Sequence, residues 1–449
     1  MARKLHLGYF LFSTGYHPAG WRLPEAKEDG AYDIDFIVET VQKLEKAKFD
    51  FFFLGDRLAT STDMQYKFPS QMTRLEPFTL ISYLAAVTKK IGLIATVNTT
   101  YSEPYNVARY TTSLDHLSKG RASWNVVTGS DPNAALNFSR EKHWDNEKRY
   151  DYAEEFIEVV KGLADTWEDG SLPKNKETGQ LADPDQVHYL DHVGENFSVR
   201  GPLNVHRPVQ GQVPLITAGY SPRSQHLAAK YADMVFTGGN DFEEAKRFYR
   251  EVKDKLTTNG RDNQDLKVLP GLVPIVEATN EEAINKYNEL NELIVTDFDL
   301  TELSEKVEYD FTQHDIDEDL PDLEGTKQGE KWSKLASSAI GKEDLTIKDL
   351  FYFFSSAVRG HLFIVGGAQK VADIIEKWFV EEASDGFNIC PPYLPGGLDK
   401  FLDLVVPILQ QKGIFRTEYS GNTFRDHLGL ERPKNQYGNL KVRRNNNET

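Results

Sequence analysis

Short runs of apolar residues alternate along the chain with longer stretches in which apolar positions recur every three or four residues. The first pattern is typical of buried strands and the second of helices that bury one face. The predicted strands are Leu5–Phe12, Phe51–Gly55, Ile91–Val97, Arg121–Val127, Pro214–Gly219, Met234–Gly238, Lys267–Val276 and Gly386–Cys390, with a shorter ninth run at Leu362–Val365. The predicted helices lie at 33–48, 77–89, 104–118, 148–168, 222–231, 241–258, 280–294, 368–384 and 397–412.

The alternation of strands and helices predicts an α/β fold with a parallel sheet. Eight strands, each followed by a helix, indicate a closed (β/α)8 TIM barrel, although an open doubly wound sheet fits the same pattern. Two segments interrupt the alternation, at about 170–213 after the fourth strand and at about 297–345 before the last βα units. We therefore expect a single elaborated barrel domain over residues 1–449, with these two insertions and a C-terminal tail at about 432–449.

Charge and cysteine content narrow the possible partners and location. The chain has 449 residues and a net charge of −17, which disfavours nucleic acid as a partner. Its one cysteine, Cys390, permits no disulfide within the chain and suits a reducing compartment. The apolar run near the N-terminus is too short to span a membrane. We expect a cytoplasmic protein that has no membrane partner.

Common cofactor and metal motifs are missing. There is no G-x-G-x-x-G, Walker A or G-x-S-x-G sequence. An acidic loop from Asp315 has the start of a calcium-binding pattern but carries Leu320 and Thr326 where glycine and glutamate are needed. His188 and His192 are four residues apart without a helical pattern around them. We expect no metal.

The polar residues that end the predicted strands are the first functional signal, because barrel enzymes place their sites at the carboxyl ends of the strands. Thr96 and Asn98 share one face of the third strand, and Ser123 and Asn125 share one face of the fourth. Uncharged donors on otherwise apolar strands could bind the polar edge of a flat heteroaromatic ring. Alternatively, they form a buried network that satisfies only itself.

The end of the fifth strand supplies the second signal, in the sequence "ITAGYSPRS". Gly219 permits a tight turn, and Ser221 can cap the helix that begins at Pro222. A capped helix start followed by Arg223 predicts a phosphate site, unless Ser221 is only an N-cap. A phosphate together with the edge of a ring suggests a mononucleotide such as FMN.

Six segments together resemble the bacterial-luciferase-like flavin monooxygenases, in the branch of nitrilotriacetate monooxygenase component A and dibenzothiophene-sulfone monooxygenase. They include "GYHPAGWR", "FLGDR", "ATVNTTYSEPYNVARYTTSLDHLSKGRASWNVVTG" and "ITAGYS", and they follow the order of the family. The resemblance implies a (β/α)8 barrel that uses reduced FMN supplied by a separate flavin reductase.

By position, the resemblance implies that Asp56 and Thr96 contact the isoalloxazine ring and that Tyr150 lines the flavin. Tyr220 and Ser221 would hold its phosphate, and Asn125 would lie on the barrel floor beneath the ring.

His17 matches a family histidine over the active site and is our catalytic candidate, although an ordinary structural histidine is the alternative. Asn146 stands where the family often has histidine, so it can contact the flavin but cannot titrate near neutral pH. Arg149 could bind a substrate carboxylate or pair with Asp151 or Glu154.

The implied activity is that of a two-component FMNH2-dependent monooxygenase that uses O2 to oxygenate a small organosulfur compound or amine. Its partners would be a transiently bound flavin reductase and further copies of the chain, as a dimer or tetramer. Two alternatives remain: a non-oxygenase barrel enzyme that acts on a phosphorylated metabolite, and a non-catalytic flavin-binding protein. The sequence does not identify the substrate.

Overall fold

The structure is a computed structural model that describes residues 3–295, 300–356 and 360–438. In chain order its strands are β1 (His6–Phe10), β2 (Phe51–Leu54), β3 (Gly92–Asn98), β4 (Ala122–Val127), β5 (His192–Val193), β6 (Ser198–Val199), β7 (Leu215–Ala218), β8 (Met234–Thr237), β9 (Lys267–Glu277), β10 (Leu362–Gly367) and β11 (Gly386–Ile389).

The helices begin and end as follows: α1 (Ile34–Lys46), α2 (Met64–Lys67), α3 (Pro77–Val87), α4 (Pro104–Ser118), α5 (Ala134–Asn137), α6 (Asn146–Ala164), α7 (Pro222–Tyr231), α8 (Phe242–Thr258), α9 (Asn280–Glu292), α10 (Thr301–Val307), α11 (Lys327–Ile340), α12 (Ile347–Ser356), α13 (Ala368–Val380), α14 (Gly396–Lys400), α15 (Val406–Gln411) and α16 (Phe424–Leu428). A π-helical turn at Phe401–Val405 joins α14 to α15, so the single helix predicted at 397–412 is divided into three pieces.

Eight parallel strands close into a ring in the order β1, β2, β3, β4, β7, β8, β9, β11 and back to β1. The closing contacts come from β9, which pairs with β8 over residues 267–270 and with β11 at residues 271 and 272. The predicted (β/α)8 barrel is therefore confirmed, and the open sheet is excluded. The eight long runs of the sequence are the eight strands of the ring.

The ninth run, β10, lies outside the ring. It pairs with the second half of β9, with Leu362 beside Leu272 and Gly367 beside Glu277. β9 is eleven residues long and pairs with β8 over only its first four residues. β10 therefore pairs with the same edge of β9 further along the strand.

The first insertion forms a small antiparallel hairpin, β5–β6, with His192 beside Val199. Glu155 of α6 anchors it by accepting hydrogen bonds from the backbone N–H groups of Asn196 (2.8 Å) and Phe197 (3.0 Å). The hairpin therefore lies against α6, on the outside of the barrel.

The second insertion contains α10 and α11, which the sequence pattern did not predict, and it leads into α12. Trp332 of α11 packs edge-to-face against Phe353 and Phe354 of α12, and Phe353 packs on Phe363 of β10. These contacts attach the insertion to the side of the barrel that β10 covers. Residues 297–299 of the predicted insertion lie outside the described residues.

The segment after α15 closes the amino-terminal end of the barrel. Phe424 packs edge-to-face against Phe51, and a Cβ on Gly92 would collide with its ring. Arg425 is buried and pairs with Asp233 at 3.0 Å. Residues 439–449 of the predicted tail lie outside the described residues. Over the part of the chain that is described, no helix combines the length and apolar character needed to cross a membrane.

The buried carboxylate of Asp50 joins this C-terminal segment to the first two strands. It accepts hydrogen bonds from the backbone N–H of Leu7 (2.8 Å), from His6 (2.8 Å) and from the guanidinium of Arg416 (2.6 Å). Burial alone would raise the pKa of Asp50, but Arg416 and His6 hold it below its ordinary value. The carboxylate is therefore ionised at neutral pH.

We expect the substitution Asp50→Asn to destabilise the fold by about 3 kcal/mol or more, because it leaves the buried guanidinium of Arg416 without its anion. Denaturant unfolding at neutral pH measures the change, with Asp254→Asn, an exposed residue of α8, as the matched control. Equal midpoints for the two variants would contradict this role of Asp50.

Candidate functional site

A cavity of about 620 Å³ opens at the carboxyl ends of β2, β3, β4 and β7. This volume is within the range of small-molecule and cofactor sites. Its walls are Asp56, Arg57, Leu58, Gln71, Asn98, Val126, Val127, Thr128, Gly129, Ser130, Asp131, Pro132, Ala134, Asn146, Arg149, Tyr150, Thr217, Ala218, Ser224 and Leu227. The cavity therefore lies where a TIM barrel places its active site.

Five of the residues proposed from the sequence meet in this cavity, namely Asp56, Asn98, Asn146, Arg149 and Tyr150. Asp56 follows β2, whereas Asn146 and Tyr150 lie in the first turns of α6. Burial raises the pKa of Asp56 above its ordinary value, although the backbone N–H of Arg57 donates to its carboxylate at 2.8 Å.

Thr96 and Asn125 lie one layer below the cavity, inside the barrel. The side-chain N–H of Asn125 donates to the hydroxyl of Thr96 at 3.1 Å, and this hydroxyl donates to the carbonyl of Leu54 at 2.6 Å. In the described part of the chain, the Oδ1 of Asn125 has no hydrogen-bond donor. The network predicted between the two strands is thus present but leaves one buried acceptor unsatisfied. Ser123 has its own partner, because its hydroxyl donates to the carbonyl of Pro214 at 2.7 Å.

Gly219, in the turn between β7 and α7, lies beside Ser224 of α7 and the hydroxyl of Tyr150 of α6. Ser221 is the N-cap of α7 and accepts a hydrogen bond from the N–H of Ser224 at 3.2 Å. Gly219 has a φ of +139°, and a Cβ there would come within 2.8 Å of Ser224 and 3.9 Å of the Tyr150 hydroxyl. A glycine at this position therefore lets α6 and α7 approach each other at the cavity wall.

Ser221 and Tyr220, the two residues proposed for the phosphate, point in different directions. Ser221 is exposed beside the cavity, and Ser224, one turn further along, lines it. The side chain of Tyr220 turns toward α8, where its ring stacks on Phe248 with centroids 4.6 Å apart and its hydroxyl donates to the carbonyl of Glu244. Only the backbone of Tyr220 belongs to the turn at the cavity.

Arg149 lines the cavity without a carboxylate partner among the described residues. Its guanidinium donates to the Oδ1 of Asn146 at 3.2 Å and to the carbonyl of Asp145 at 3.3 Å. The two acids that could have paired with it bind other cations: Asp151 pairs with Arg223, and Glu154 pairs with Lys230. The cavity therefore contains a guanidinium that is available to an anion.

Aromatic rings fill the other half of the barrel mouth. Phe10 packs on Phe12 and Phe53 with centroids 4.3 and 4.5 Å apart, and Phe236 lies 5.7 Å from Phe10. Tyr16 extends the cluster from Phe12 at 5.1 Å. The cavity is consequently displaced from the barrel axis toward β3, β4 and α6.

A family model described as luciferase-like monooxygenase matches residues 10–381. The chain belongs to this family. The predicted family and the predicted enzyme class, a monooxygenase, are confirmed.

Two relatives and one solved structure illustrate the match. The chain is 45% identical to N-acetyl-S-(2-succino)cysteine monooxygenase of Bacillus subtilis (strain 168), with 97% of this chain and 98% of the relative covered. It is 44% identical to nitrilotriacetate monooxygenase component A of Aminobacter aminovorans, with 96% and 98% covered. It also superposes on riboflavin lyase in complex with modified FMN and riboflavin, with a TM-score of 0.80, 28% identity, and 97% and 98% of the two chains covered.

Several cavity residues of this family member were missed by the sequence reasoning. Gln71 and Arg57 come from the loop after β2, and Thr217 and Ser224 come from the end of β7 and the start of α7. The loop after β4 carries a signal in its sequence, because the polar run "GSDPN" follows a buried strand directly, and residues 128–132 line the cavity. The segment around Gln71 carried none.

His17 lies apart from this cavity, in a buried position after β1. Its Nδ1 accepts a hydrogen bond from the N–H of Ala19 at 3.1 Å, so its Nε2 carries the proton and donates to the Oδ1 of Asn291 at 3.2 Å. Burial lowers the pKa of His17 to about 4, so the ring is neutral at physiological pH. Both nitrogens are engaged within the protein.

We expect His17 to make the fold sensitive to acid. Its pKa is about 4 in the folded chain and about 6.5 when unfolded, so the unfolded state binds more protons below pH 6.5. The stability from the neutral ring is complete above that pH and is lost as the pH falls to about 4. His17→Gln should flatten this part of the stability curve, as measured by unfolding midpoints from pH 7 to 4. His427, whose pKa burial also lowers to about 4, contributes to the dependence that remains, as do carboxylates with lowered pKa values such as Asp50.

An unchanged slope in the His17→Gln variant would mean that His17 does not contribute to the acid sensitivity.

Proposed function

We propose that the protein is a two-component monooxygenase that uses reduced FMN and O2 to oxygenate a small compound containing sulfur or nitrogen. The observation that carries the proposal is the cavity at the barrel mouth. It brings together the hydroxyl groups of Tyr150 and Ser224 and the guanidinium of Arg149, which has no carboxylate partner among the described residues. These groups suit the phosphate of FMN, and the polar residues at the ends of β2 and β3 suit the edge of its heteroaromatic ring. The family membership supports the same assignment.

The residues present fit an FMN molecule on three counts. Arg149, which lines the cavity, has no carboxylate partner among the described residues, and an anion would satisfy its charge. In the same described part of the chain, two buried polar atoms have no hydrogen-bond partner: the hydroxyl of Thr217, which lines the cavity, and the Oδ1 of Asn125, one layer below it. Gly219, where a Cβ would collide with Ser224, lets the start of α7 lie close against the cavity wall. Unsatisfied buried polar atoms are rare in folded proteins and often mark a ligand.

The phosphate would bind between Arg149, Tyr150 and Ser224, with the start of α7 behind it. Charged guanidinium groups and the N–H groups of a helix start are both suited to a phosphate dianion. The ring would lie toward Asp56 and Asn98, at the ends of β2 and β3. The carboxylate of Asp56 would accept hydrogen bonds from ring N–H groups, and Asn98 offers an amide at the rim.

When bound, a reduced flavin supplies the electrons that activate O2, so that one oxygen atom enters the substrate and the other leaves as water. The protein's own part is to bind, orient and exclude water. The loop at residues 128–132 forms one wall of the cavity, and Arg57 holds it to the loop after β2 through an ion pair with Asp131 at 2.6 Å. The packed aromatic rings form the opposite side of the mouth.

We propose a substrate in which a thioether or amine carries carboxylate groups. The names of the two relatives reported above specify N-acetyl-S-(2-succino)cysteine and nitrilotriacetate, which both combine a heteroatom with several carboxylates. Oxygenation of the carbon next to the heteroatom would cleave the C–S or C–N bond. Assays with carboxylated thioethers and carboxylated amines distinguish a sulfur substrate from a nitrogen substrate.

A flavin reductase that supplies reduced FMN is the proposed partner, as the name "component A" of one relative suggests. Contact with it would be transient, because reduced FMN can diffuse between two proteins. Assembly of the chain into a dimer or tetramer, and its location in the cytoplasm, are part of the same proposal.

Tyr150→Phe tests the phosphate site with the loss of a single oxygen atom. A hydrogen bond to a charged group is worth about 1.5–3 kcal/mol, so we expect the dissociation constant for reduced FMN to rise about 10-fold or more. Tyr152→Phe, two residues along α6, is the matched control, because the Tyr152 ring packs on Trp144 and Phe197. Anaerobic fluorescence titration measures both affinities. Equal affinities would remove Tyr150 from the site.

Arg149→Gln distinguishes a phosphate contact from a substrate contact. If the guanidinium binds the phosphate, the variant loses affinity for FMN but keeps its affinity for riboflavin, which lacks the phosphate. If it binds a substrate carboxylate, the affinity for FMN is unchanged and only the KM for the substrate rises. We expect the first result.

The proposed activity is tested by mixing the protein, reduced FMN and O2 with a panel of carboxylated thioethers and amines, uncarboxylated thioethers, dibenzothiophene sulfone and a long-chain alkane. We expect oxygen uptake coupled to a cleaved product for a carboxylated thioether or amine, and hydrogen peroxide as the main product without substrate. Flavin binding without any organic product across the panel would favour a non-catalytic flavin-binding protein. No affinity for reduced flavin would refute the proposal.

A further inference from the structure

A second cleft, of about 890 Å³, opens on the outside of the barrel between α6, the end of α7 and the C-terminal segment. The cleft walls include Gln212, Asp233 and Asp265, which lie one to three residues before β7, β8 and β9, respectively. The cleft is therefore at the amino-terminal end of the barrel, opposite the proposed flavin site. Along α6, Lys161 in the cleft is twelve residues from Arg149, a distance of roughly 18 Å.

The lining of this cleft is positively charged in a chain whose net charge is −17. Six basic and five acidic side chains line it. The basic residues are Lys161, Lys230, Arg261, Arg425, Arg432 and Lys434.

Two carboxylates of the cleft, Asp233 and Asp165, already bind arginine side chains. Asp233 accepts hydrogen bonds from Arg425 at 3.0 Å and from the backbone N–H of Leu215 at 2.8 Å. Asp165 accepts from Arg207, which lies behind the cleft wall, at 3.1 Å. These two carboxylates are therefore only partly available to the remaining cations of the cleft.

Two cations of the cleft make no direct ion pair among the described residues, although carboxylates lie near both. The ammonium group of Lys161 makes no hydrogen bond or ion pair there, although burial lowers the pKa of Lys161 below its ordinary value. Arg261 donates to backbone carbonyls only, including those of Ala229 (3.1 Å) and Ala232 (2.7 Å) at the end of α7. Lys161, Arg261 and Arg425 share the carboxylate of Asp233, which attracts all three. A further anion in the cleft would balance the positive charge that this one carboxylate leaves.

We propose that this cleft is a binding site for a small oxyanion-bearing molecule, with the phosphate or carboxylate group held by Lys161 and flanked by Arg261 and Arg425. The volume exceeds that of the cavity proposed for FMN, so the ligand can be larger than a free inorganic ion. Its position at the other end of the barrel makes it independent of the flavin and of the proposed function. An anion bound here would stabilise the contact between α6, α7 and the C-terminal segment.

The site is tested on the full chain by acylation of its lysines with and without inorganic phosphate or citrate, followed by peptide mass spectrometry. Bound ligand protects a lysine by the factor 1 + [L]/Kd, so we expect Lys161 to react about 10-fold more slowly at an anion concentration about ten times the Kd. Lys176, an exposed lysine of the first insertion, is the internal reference and should be unaffected. Sodium chloride at the same ionic strength controls for screening.

Lys161→Gln provides the second measurement. In the wild-type protein, the preferred anion should raise the melting temperature, and in the variant its affinity should fall about 10-fold or more while the affinity for FMN is retained. Stronger protection by phosphate would indicate a phosphorylated ligand, and stronger protection by citrate would indicate a polycarboxylate; either result supports the site. Equal acylation of Lys161 with and without both anions would overturn the proposal, as would equal stabilisation of variant and wild type by the anion.

Discussion

The candidate active site depends on uneven filling of the barrel mouth. Protein interiors pack densely, so a cavity persists only where the side chains that meet are too short to fill the space. Phe10, Phe53 and Phe236 bring three large rings together on one side. On the other side, β4 and β7 end in Val127 and Ala218, which leave the cavity open.

Helix α6 supplies cations to both ends of the barrel. Arg149 in its second turn lines the cavity at the mouth, and Lys161 near its end lines the cleft at the opposite end. Neither makes a direct ion pair with a carboxylate among the described residues, although the chain has an excess of acidic residues. The acids of α6 are committed elsewhere: Glu154 pairs with Lys230, and Glu155 holds the hairpin of the first insertion.

The amino-terminal end of the barrel is tightly joined, whereas loops at the carboxyl-terminal end form the walls of the candidate site. Asp50, Phe424 and Arg425 join the C-terminal segment to the amino ends of the strands through buried charges and ring packing. At the carboxyl ends, the loops after β2 and β4 meet through the ion pair of Arg57 and Asp131. This division is common in TIM barrels, where residues at the bottom support stability and residues at the top support function.

The sequence by itself determined the eight strands, the approximate bounds of eight helices and the position of five cavity residues, because periodicity and strand ends are local properties. The family followed from six short segments taken together. Asp56 and Tyr150 could be placed because each lies at the end or beginning of an element. Only the tertiary structure decided that His17 binds Asn291 and that Tyr220 stacks on Phe248, since these partners come from distant elements. It also decided the helices of the second insertion, which are held through Trp332 and Phe353 against β10. Side-chain direction and the space between elements are set by the whole barrel, and no local pattern encodes them.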